Sequence, residues 1–505
     1  MKKGQEYIGI VERIKFPNKG VVRPISEDGN ICTEEGGCIV KNVIPGQKIR
    51  FRVNKKRSGQ CEGLLLEVIS RSPMEKDMAC PHFSSCGGCA YQTLSYDDQL
   101  KIKEGQVHEL LEPVLKQKLK GESRDLVDIS KLFEAMVPSP VQFEYRNKME
   151  FSFGDASPGG PLELGLHKRG SFYDIVTCRD CRIVDNDFRI ILTETLAYFR
   201  GKDTTYFHKR THEGYLRFLL VRKAAKTGEI LIDLVTTSQT PPETICTQKS
   251  LLEDWTDMLL EQKLSGKIAG ILHTFDDGVA DAIANDHTDI LYGRDWFNEE
   301  VLGLNFRITP FSFFQTNTLS AEVLYSKVRE YVDVALTGTD PLREKRKGVV
   351  FDLYSGTGTI GQLMSTNAES VIGVEIVEEA VRAANENAEL NGLHNCKFIA
   401  GDVLKMLDEI EEKPDLIILD PPRDGINPKA LTKIINYGVD YIIYISCKPT
   451  SLARDLVPLI DGGYVPTRIC PIDQFPATNH VEVATLLKRV RSAKGHVEIG
   501  IDAED

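Results

Sequence analysis

Hydrophobic and polar positions change rhythm along the chain. In residues 1–72, short alternating runs (YIGIVERI, GVVRPI, KIRFRVNKK) are separated by Asp28-Gly29, Gly36-Gly37 and Pro45-Gly46. Alternation at period two marks half-buried strands, and turns at this spacing predict a small β-barrel ending near Ser72-Pro73. Residues 95–120 switch to a helical period, in an amphipathic helix that Pro113 is expected to kink or split. Residues 140–330 read as mixed strand and turn, with helices near 185–200 and 248–264. From about 347 the β-rich runs VVFDLYSG, SVIGVEIV, CKFIAGDV, DLIILDPP and YIIYISCKP alternate with helical stretches. That alternation predicts a doubly wound α/β sheet. The expected parts are a barrel (1–72), a mixed central domain with a cysteine cluster (73–308), an α/β domain (309–490) and a tail (491–505). The helix near 95–120 is expected to pack on the α/β domain.

Composition narrows the class. The chain has 505 residues, 41% apolar and 27% charged, the balance of a globular protein with several domains. No run approaches ~18 apolar residues, and MKKGQEYIGIVERIKF has no apolar signal region. A cytoplasmic location without membrane contact is expected. The net charge of −12 argues against a polyanionic partner, but Lys41–Arg57 carries seven basic residues and no acidic one. A basic module joined to an acidic one fits local contact with nucleic acid. Twelve cysteines in such a chain read as ligands, nucleophiles or buried small side chains rather than as disulfides.

The sharpest motif is VVFDLYSGTGTIG, Val349–Gly361. A buried strand ends near Asp352 and turns through Gly356-x-Gly358, where glycine lets the backbone approach a ligand. Glu375 follows 23 residues after Asp352, at the tip of the next strand, where an acid meets ribose hydroxyls. A third strand ends near Asp402, in position to face an adenine edge. The run also satisfies GxGxxG, so a nicotinamide cofactor is an alternative. Asp352 before the glycines, and a cysteine-bearing strand end in the same sheet, favour S-adenosylmethionine.

Asp420-Pro421-Pro422-Arg423 and Ser446-Cys447-Lys448-Pro449 each end a strand of that sheet. Lys448 and the helix that follows are expected to lower the Cys447 thiol pKa. A methyl donor beside a thiolate suits a poor carbon nucleophile such as pyrimidine C5, which becomes reactive once sulfur adds at C6. A base must then remove the C5 proton, and Asn479-His480-Val481-Glu482 offers Glu482. The rivals are N-methylation with Cys447 incidental, and a noncatalytic iron–sulfur RNA-binding protein.

These residues resemble the RNA (uracil-5-)-methyltransferase family, in its bacterial 23S ribosomal RNA branch. The ordered motifs are Cys80-x5-Cys86-Gly-Gly-Cys89, Phe313-Phe314-Gln315-x-Asn317, Asp352–Gly361, Asp420–Arg423, Ser446-Cys447-x-Pro449 and His480-x-Glu482. The resemblance implies a class I, Rossmann-like methyltransferase domain behind an OB-like TRAM barrel. It implies S-adenosylmethionine binding by Gln315, Tyr354, Thr359, Glu375, Asp402 and Asp420, with Cys447 as nucleophile and Glu482 as base. The implied substrate is uridine C5 in RNA, 23S rRNA before transfer RNA, and a monomer is expected. The chain departs from the family at Lys448, where Asn is usual, and at Tyr354-Ser355 and Thr359 in the glycine loop.

From spacing alone, Cys86-x2-Cys89 with Cys178-x2-Cys181 fits a four-thiolate zinc site, and three local thiolates plus a remote one fit an iron–sulfur cluster equally. The resemblance implies a 4Fe–4S cluster on Cys80, Cys86, Cys89 and Cys181. Cys32, Cys38, Cys61, Cys246, Cys396 and Cys470 are read as fillers or surface thiols. Arg146 is a weaker candidate for RNA contact.

Overall fold

The computed structural model describes residues 1–490 except 27, 29, 33–35, 58, 78–79, 120–127, 240–247 and 338–346. Cys246 and the tail 491–505 lie outside the described residues.

Five strands, β1 (Glu6–Lys15), β2 (Lys19–Pro24), β3 (Cys38–Lys41), β4 (Lys48–Arg57) and β5 (Gln60–Ser70), close a barrel in the order β1-β2-β3-β5-β4. β4 shows the cause. Ile49, Phe51 and Val53 are buried, and the residues between them face out. The basic run is partly neutralised in place, because Arg50, Arg52 and Lys55 pair with Glu67, Glu6 and Glu62 on neighbouring strands. A different basic feature emerges. Lys15 lies opposite Lys19, and Lys19 opposite Lys41, so lysines line up across β1, β2 and β3.

The central sheet contains β6 (Lys148–Asp155), β7 (Leu162–His167), β8 (Ile175–Val176), β9 (Leu216–Lys223), β10 (Glu229–Thr236), β11 (Lys267–Phe275) and β12 (His287–Gly293), ordered β12-β11-β10-β9-β6-β7-β8. Helices Asn186–Gly201 and Gln248–Leu260 cover it through Phe188, Leu192, Phe199 and Trp255. A ribbon of β13 (Phe297–Val301) and β14 (Leu304–Ile308) leads out of this region.

The C-terminal sheet has β15 (Val349–Leu353), β16 (Ser370–Glu375), β17 (Cys396–Ala400), β18 (Leu416–Leu419), β19 (Tyr441–Ser446), β20 (Tyr464–Ile472) and β21 (Glu482–Arg489). Its order is β17-β16-β15-β18-β19-β21-β20. β15 to β19 run parallel, and β21 enters antiparallel beside β19. The parallel strands are apolar without alternation because both faces are covered. One face, through Phe351, Ile417 and Ile442, meets helices Val403–Glu409, Pro428–Tyr437 and Pro449–Asp461. The other, through Val350, Ile418 and Ile443, meets helix Thr318–Thr337.

Helix Tyr96–Lys118 joins the first face with Val107, Leu111 and Leu115 fully buried. It runs through Pro113 without splitting, so of the two outcomes expected at that proline the split does not occur. A proline in a helix interior costs ~3 kcal/mol, and burying three branched side chains at ~1.5–3 kcal/mol each offsets that. Among the described residues, no helix is long and apolar enough to cross a membrane.

Candidate active site

The sheet order reverses between β15 and β18, and the chemistry-bearing residues gather at the carboxyl edge beside that switch point. β15 ends at Leu353 and the chain turns at Tyr354, which adopts φ 67°, with Gly356 at φ 54° and Gly358 at φ 72°. At Gly358 a Cβ would lie 2.6 Å from the Phe398 ring, so both conformation and space demand glycine. Asp352 is fully buried and accepts the Gly361 N–H at 2.8 Å, pinning the start of the helix that follows. Burial pushes its carboxyl up to about 7.

Glu375 grips the same loop. Its two oxygens accept the Gly356 and Val377 N–H groups at 3.0 Å each. Each oxygen keeps a second lone pair for another donor. Thr359 is buried in the first turn of helix Thr359–Met364, and Tyr354 is half-buried. Asp402 is exposed and accepts the Leu404 N–H at 2.7 Å, capping helix Val403–Glu409. The Phe313–Asn317 motif reaches the loop from the ribbon side, where Thr357 Oγ1 donates to the Phe313 carbonyl at 3.3 Å. Gln315 is buried, and its carbonyl accepts the Asn147 amide at 2.9 Å. The loop, Gln315 and the three acids therefore come from separate stretches onto one edge.

The second constellation follows from register. Ser446 pairs with Val483 across antiparallel β19 and β21, which sets Cys447 beside Glu482. Asp420 follows β18 directly and lies, partly buried, next to both. Glu482 is 4% exposed, so it is not a surface strand carboxylate. Burial, then the Asp420 charge, push its carboxyl up to about 8, with Arg423 opposing. Asp420 is pushed up to about 7 by burial and then Asp352. His480 is held down at about 4, by burial and then by Arg423, Lys103 and Arg146, and is neutral near pH 7.

The expected depression of the Cys447 thiol is corrected. Burial raises it to about 12, and the Glu482 and Asp420 charges push the same way. The Arg423 guanidinium and the Cys447 backbone N–H oppose this only in part. Lys448 supplies the helix cap without a side-chain hydrogen bond, so the carboxylates and burial outweigh what the sequence neighbours offer. Arg423 is a cation at this edge whose charge opposes the rise at both Cys447 and Glu482. In the sequence it stands out only as the last residue of the Asp420–Arg423 motif.

The cysteines converge elsewhere. Cys80, Cys86, Cys89, Cys178 and Cys181 line one cavity. Backbone N–H groups of His82 and Arg182 reach the Cys80 sulfur, and those of Ile183 and Val184 reach Cys181. Gly88 N–H donates to Cys86 Sγ at 3.4 Å. The Cys178 thiol bonds Cys86 and the Val176 carbonyl at 3.2 Å. Among the described residues, no three His, Cys, Asp or Glu side chains are set to hold a single metal ion. Arg169 was not foreseen. Its guanidinium binds the carbonyls of Phe83, Cys86 and Cys89 at 2.9, 3.3 and 2.8 Å, folding the cysteine loop around itself. It sits in an ordinary-looking hairpin, HKRGS, and no local signal marks it. Cys38 and Cys61 are buried neighbours in the barrel, and Cys470 is buried in the C-terminal sheet.

Comparison with known proteins agrees with this layout. A family model described as tRNA (Uracil-5-)-methyltransferase matches residues 306–490. An uncharacterized RNA methyltransferase of Clostridium tetani is 44% identical over 97% of this chain and 99% of its own length. Another, from Caldanaerobacter subterraneus, is 47% identical over 89% of this chain and 93% of its own. Among solved structures, Pyrococcus abyssi tRNA (uracil-54, C5)-methyltransferase in complex with S-adenosyl-L-homocysteine superposes with a TM-score of 0.68, at 22% identity, over 95% of this chain and 100% of that one. That likeness is one of fold. The near full-length identity to RNA methyltransferases, with the family match across the C-terminal sheet, shows that the chain belongs to the RNA (uracil-5-)-methyltransferase family.

Proposed function

We propose that the chain methylates C5 of uridine in RNA with S-adenosylmethionine as donor. The observation that carries this is the β19–β21 register, which sets Cys447 beside a buried Glu482 at the sheet edge bearing the glycine loop. Gln315, Tyr354, Thr359, Glu375, Asp402 and Asp420 hold the donor, and the acidic edge suits its sulfonium charge. The Cys447 thiolate bonds to uracil C6, and the π pair of the C5=C6 double bond moves toward the C4 carbonyl, leaving an enolate with its charge on the exocyclic O4. C5 then takes the methyl group from the sulfonium, which leaves as the neutral thioether. Glu482 removes the C5 proton, and the S–C6 bond breaks to restore the thiolate. The target base must leave its stack to reach a thiol at a strand end.

The thiol cavity fits a 4Fe–4S cluster held by Cys80, Cys86, Cys89 and Cys181. The sulfurs of Cys80, Cys86 and Cys181 accept backbone N–H groups, as thiolate cluster ligands do, and zinc on the same thiolates is the alternative. Cys181 suits the fourth position better than Cys178, whose thiol is engaged with Val176 and Cys86. The cluster would staple the 80–91 loop to the central sheet, and no reaction step runs through it.

23S rRNA is the preferred substrate, on the motif set and the barrel-plus-cysteine layout. Transfer RNA is the second reading, because the Pyrococcus abyssi tRNA enzyme shares nearly the whole architecture. Nucleoside mass spectrometry of rRNA and tRNA from a deletion strain decides between them. One mapped 5-methyluridine should vanish from 23S rRNA and return with the wild-type gene but not with Cys447→Ala. Unchanged 5-methyluridine in both RNAs would refute the activity.

A further inference from the structure

β20 and β21 are joined by the segment 473–481, closed at its base by the Ile472–Glu482 pair. Glu482 is thus the first residue after the segment, and any slack in it moves the carboxylate. Five consecutive carbonyls of this strap are held by four separate parts of the chain. Ser320 Oγ donates to Asp473 O at 3.1 Å, and the Asn317 amide to Gln474 O at 2.8 Å. Lys103 Nζ donates to Phe475 O at 3.0 Å, and Tyr145 Oη to Pro476 O at 2.9 Å. The N–H groups of Ala90 and Tyr91, next to Cys89, both donate to Ala477 O, at 2.8 and 2.9 Å. Ala477 sits at φ 64°, and its own N–H is taken by Gln99 Oε1 at 2.7 Å.

Lys103 is the centre of this arrangement. It is fully buried and pairs with Asp473, also fully buried, at 2.7 Å. A buried pair is a costly way to stabilise a fold, since apolar side chains of the same volume commonly do as well. It does fix one geometry, that between helix Tyr96–Lys118 and the strap.

We propose that Lys103 and Asp473 are positioning residues for the proton-abstraction half-reaction. With Gln99 and the cysteine loop, they set the strap that places Glu482 over the target C5. This rests on Cys447 acting as nucleophile and Glu482 as base. The strap does not carry the thiol, so its loosening should spare sulfur addition and methyl transfer and slow the step that needs Glu482.

The test is a partition between steps, measured with unmodified RNA substrate. Purified full-length wild type, Glu482→Gln, the double variant Lys103→Met/Asp473→Asn and Gln99→Leu are incubated with RNA and S-adenosylmethionine, then run on denaturing gels. The double variant leaves no stranded buried charge, and Gln99→Leu removes only one anchor. Glu482→Gln should accumulate a methylated covalent protein–RNA complex. The double variant should accumulate the same complex, with kcat at least about tenfold lower, KM within about threefold of wild type and unchanged donor binding. Gln99→Leu should do so to a lesser degree. If Glu482→Gln traps no complex, the base assignment fails. If Glu482→Gln traps it while both strap variants turn over like wild type, or lose activity only in proportion to the folded fraction, the positioning role is wrong.

Discussion

The least expected property at the scale of single residues is the protonated state of the site. Burial and crowding of like charges push Cys447 to about 12 and Glu482 to about 8. The proposed roles require both groups in the deprotonated form, so methylation should rise with pH from about 6 to 9 when turnover is measured at saturating donor. A flat profile over that range would contradict the roles of both side chains. A cationic donor and Arg423 are the groups whose positive charge would stabilise the thiolate, and Arg423→Ala should lower kcat by an order of magnitude or more. Cys447→Ala should abolish methylation yet leave donor affinity, read by calorimetry, within about twofold, because its side chain is not part of the glycine loop. The sequence made Cys447 and Glu482 visible as motif residues. It misjudged the thiol, because Lys448 is adjacent in sequence whereas Glu482 and Asp420 are adjacent in space.

Among elements, the glycine loop shows the tightest tie between sequence and geometry. Gly358→Ala adds a methyl group 2.6 Å from Phe398 in a left-handed backbone. The conformational cost of ~1–2 kcal/mol and an overpacking cost of ~1–3 kcal/mol predict donor binding weakened by about thirtyfold to a few thousandfold, again by calorimetry. Parallel strands β15, β16, β18 and β19 were legible as unbroken apolar runs, and helices near 186 and 248 as periodic ones. The antiparallel entry of β21 was not legible. EVATLLKR reads alike in either direction, and only pairing with β19 decides which end meets the catalytic edge. Helix Tyr96–Lys118 was legible in extent but not in continuity, since the packing that overrides Pro113 lies over 300 residues away on helix Pro449–Asp461.

Viewed as one molecule, the chain concentrates charge of opposite sign in different places. Asp352, Asp420 and Glu482 have carboxyls raised to about 7, 7 and 8, above the ~4 of an unfolded chain. Between those values the folded state holds more protons than the unfolded one. Their contribution to stability is therefore fully present below about pH 4 and is lost as pH rises through about 8. Thermal melts without donor should show this component falling from pH 5 to 8, and saturating S-adenosylmethionine should reduce the slope. At the other end, Lys19 faces a lysine on each neighbouring strand, an arrangement that destabilises a bare sheet and suits a phosphate backbone. Lys19→Ala/Lys41→Ala should weaken RNA binding and reduce the magnitude of the salt dependence (log affinity against log salt) by about 1–2. An unchanged slope would place the RNA elsewhere. The sequence alone determined the α/β class, the barrel and the glycine loop, and singled out Cys447 and Glu482 as candidates, because those depend on local periodicity and on residue chemistry that no partner can alter. Tertiary structure alone decided the pKa of the thiol, the direction of β21, the clamp at Arg169 and the strap behind Glu482, because each arises from groups that are distant in the chain and close only once it has folded.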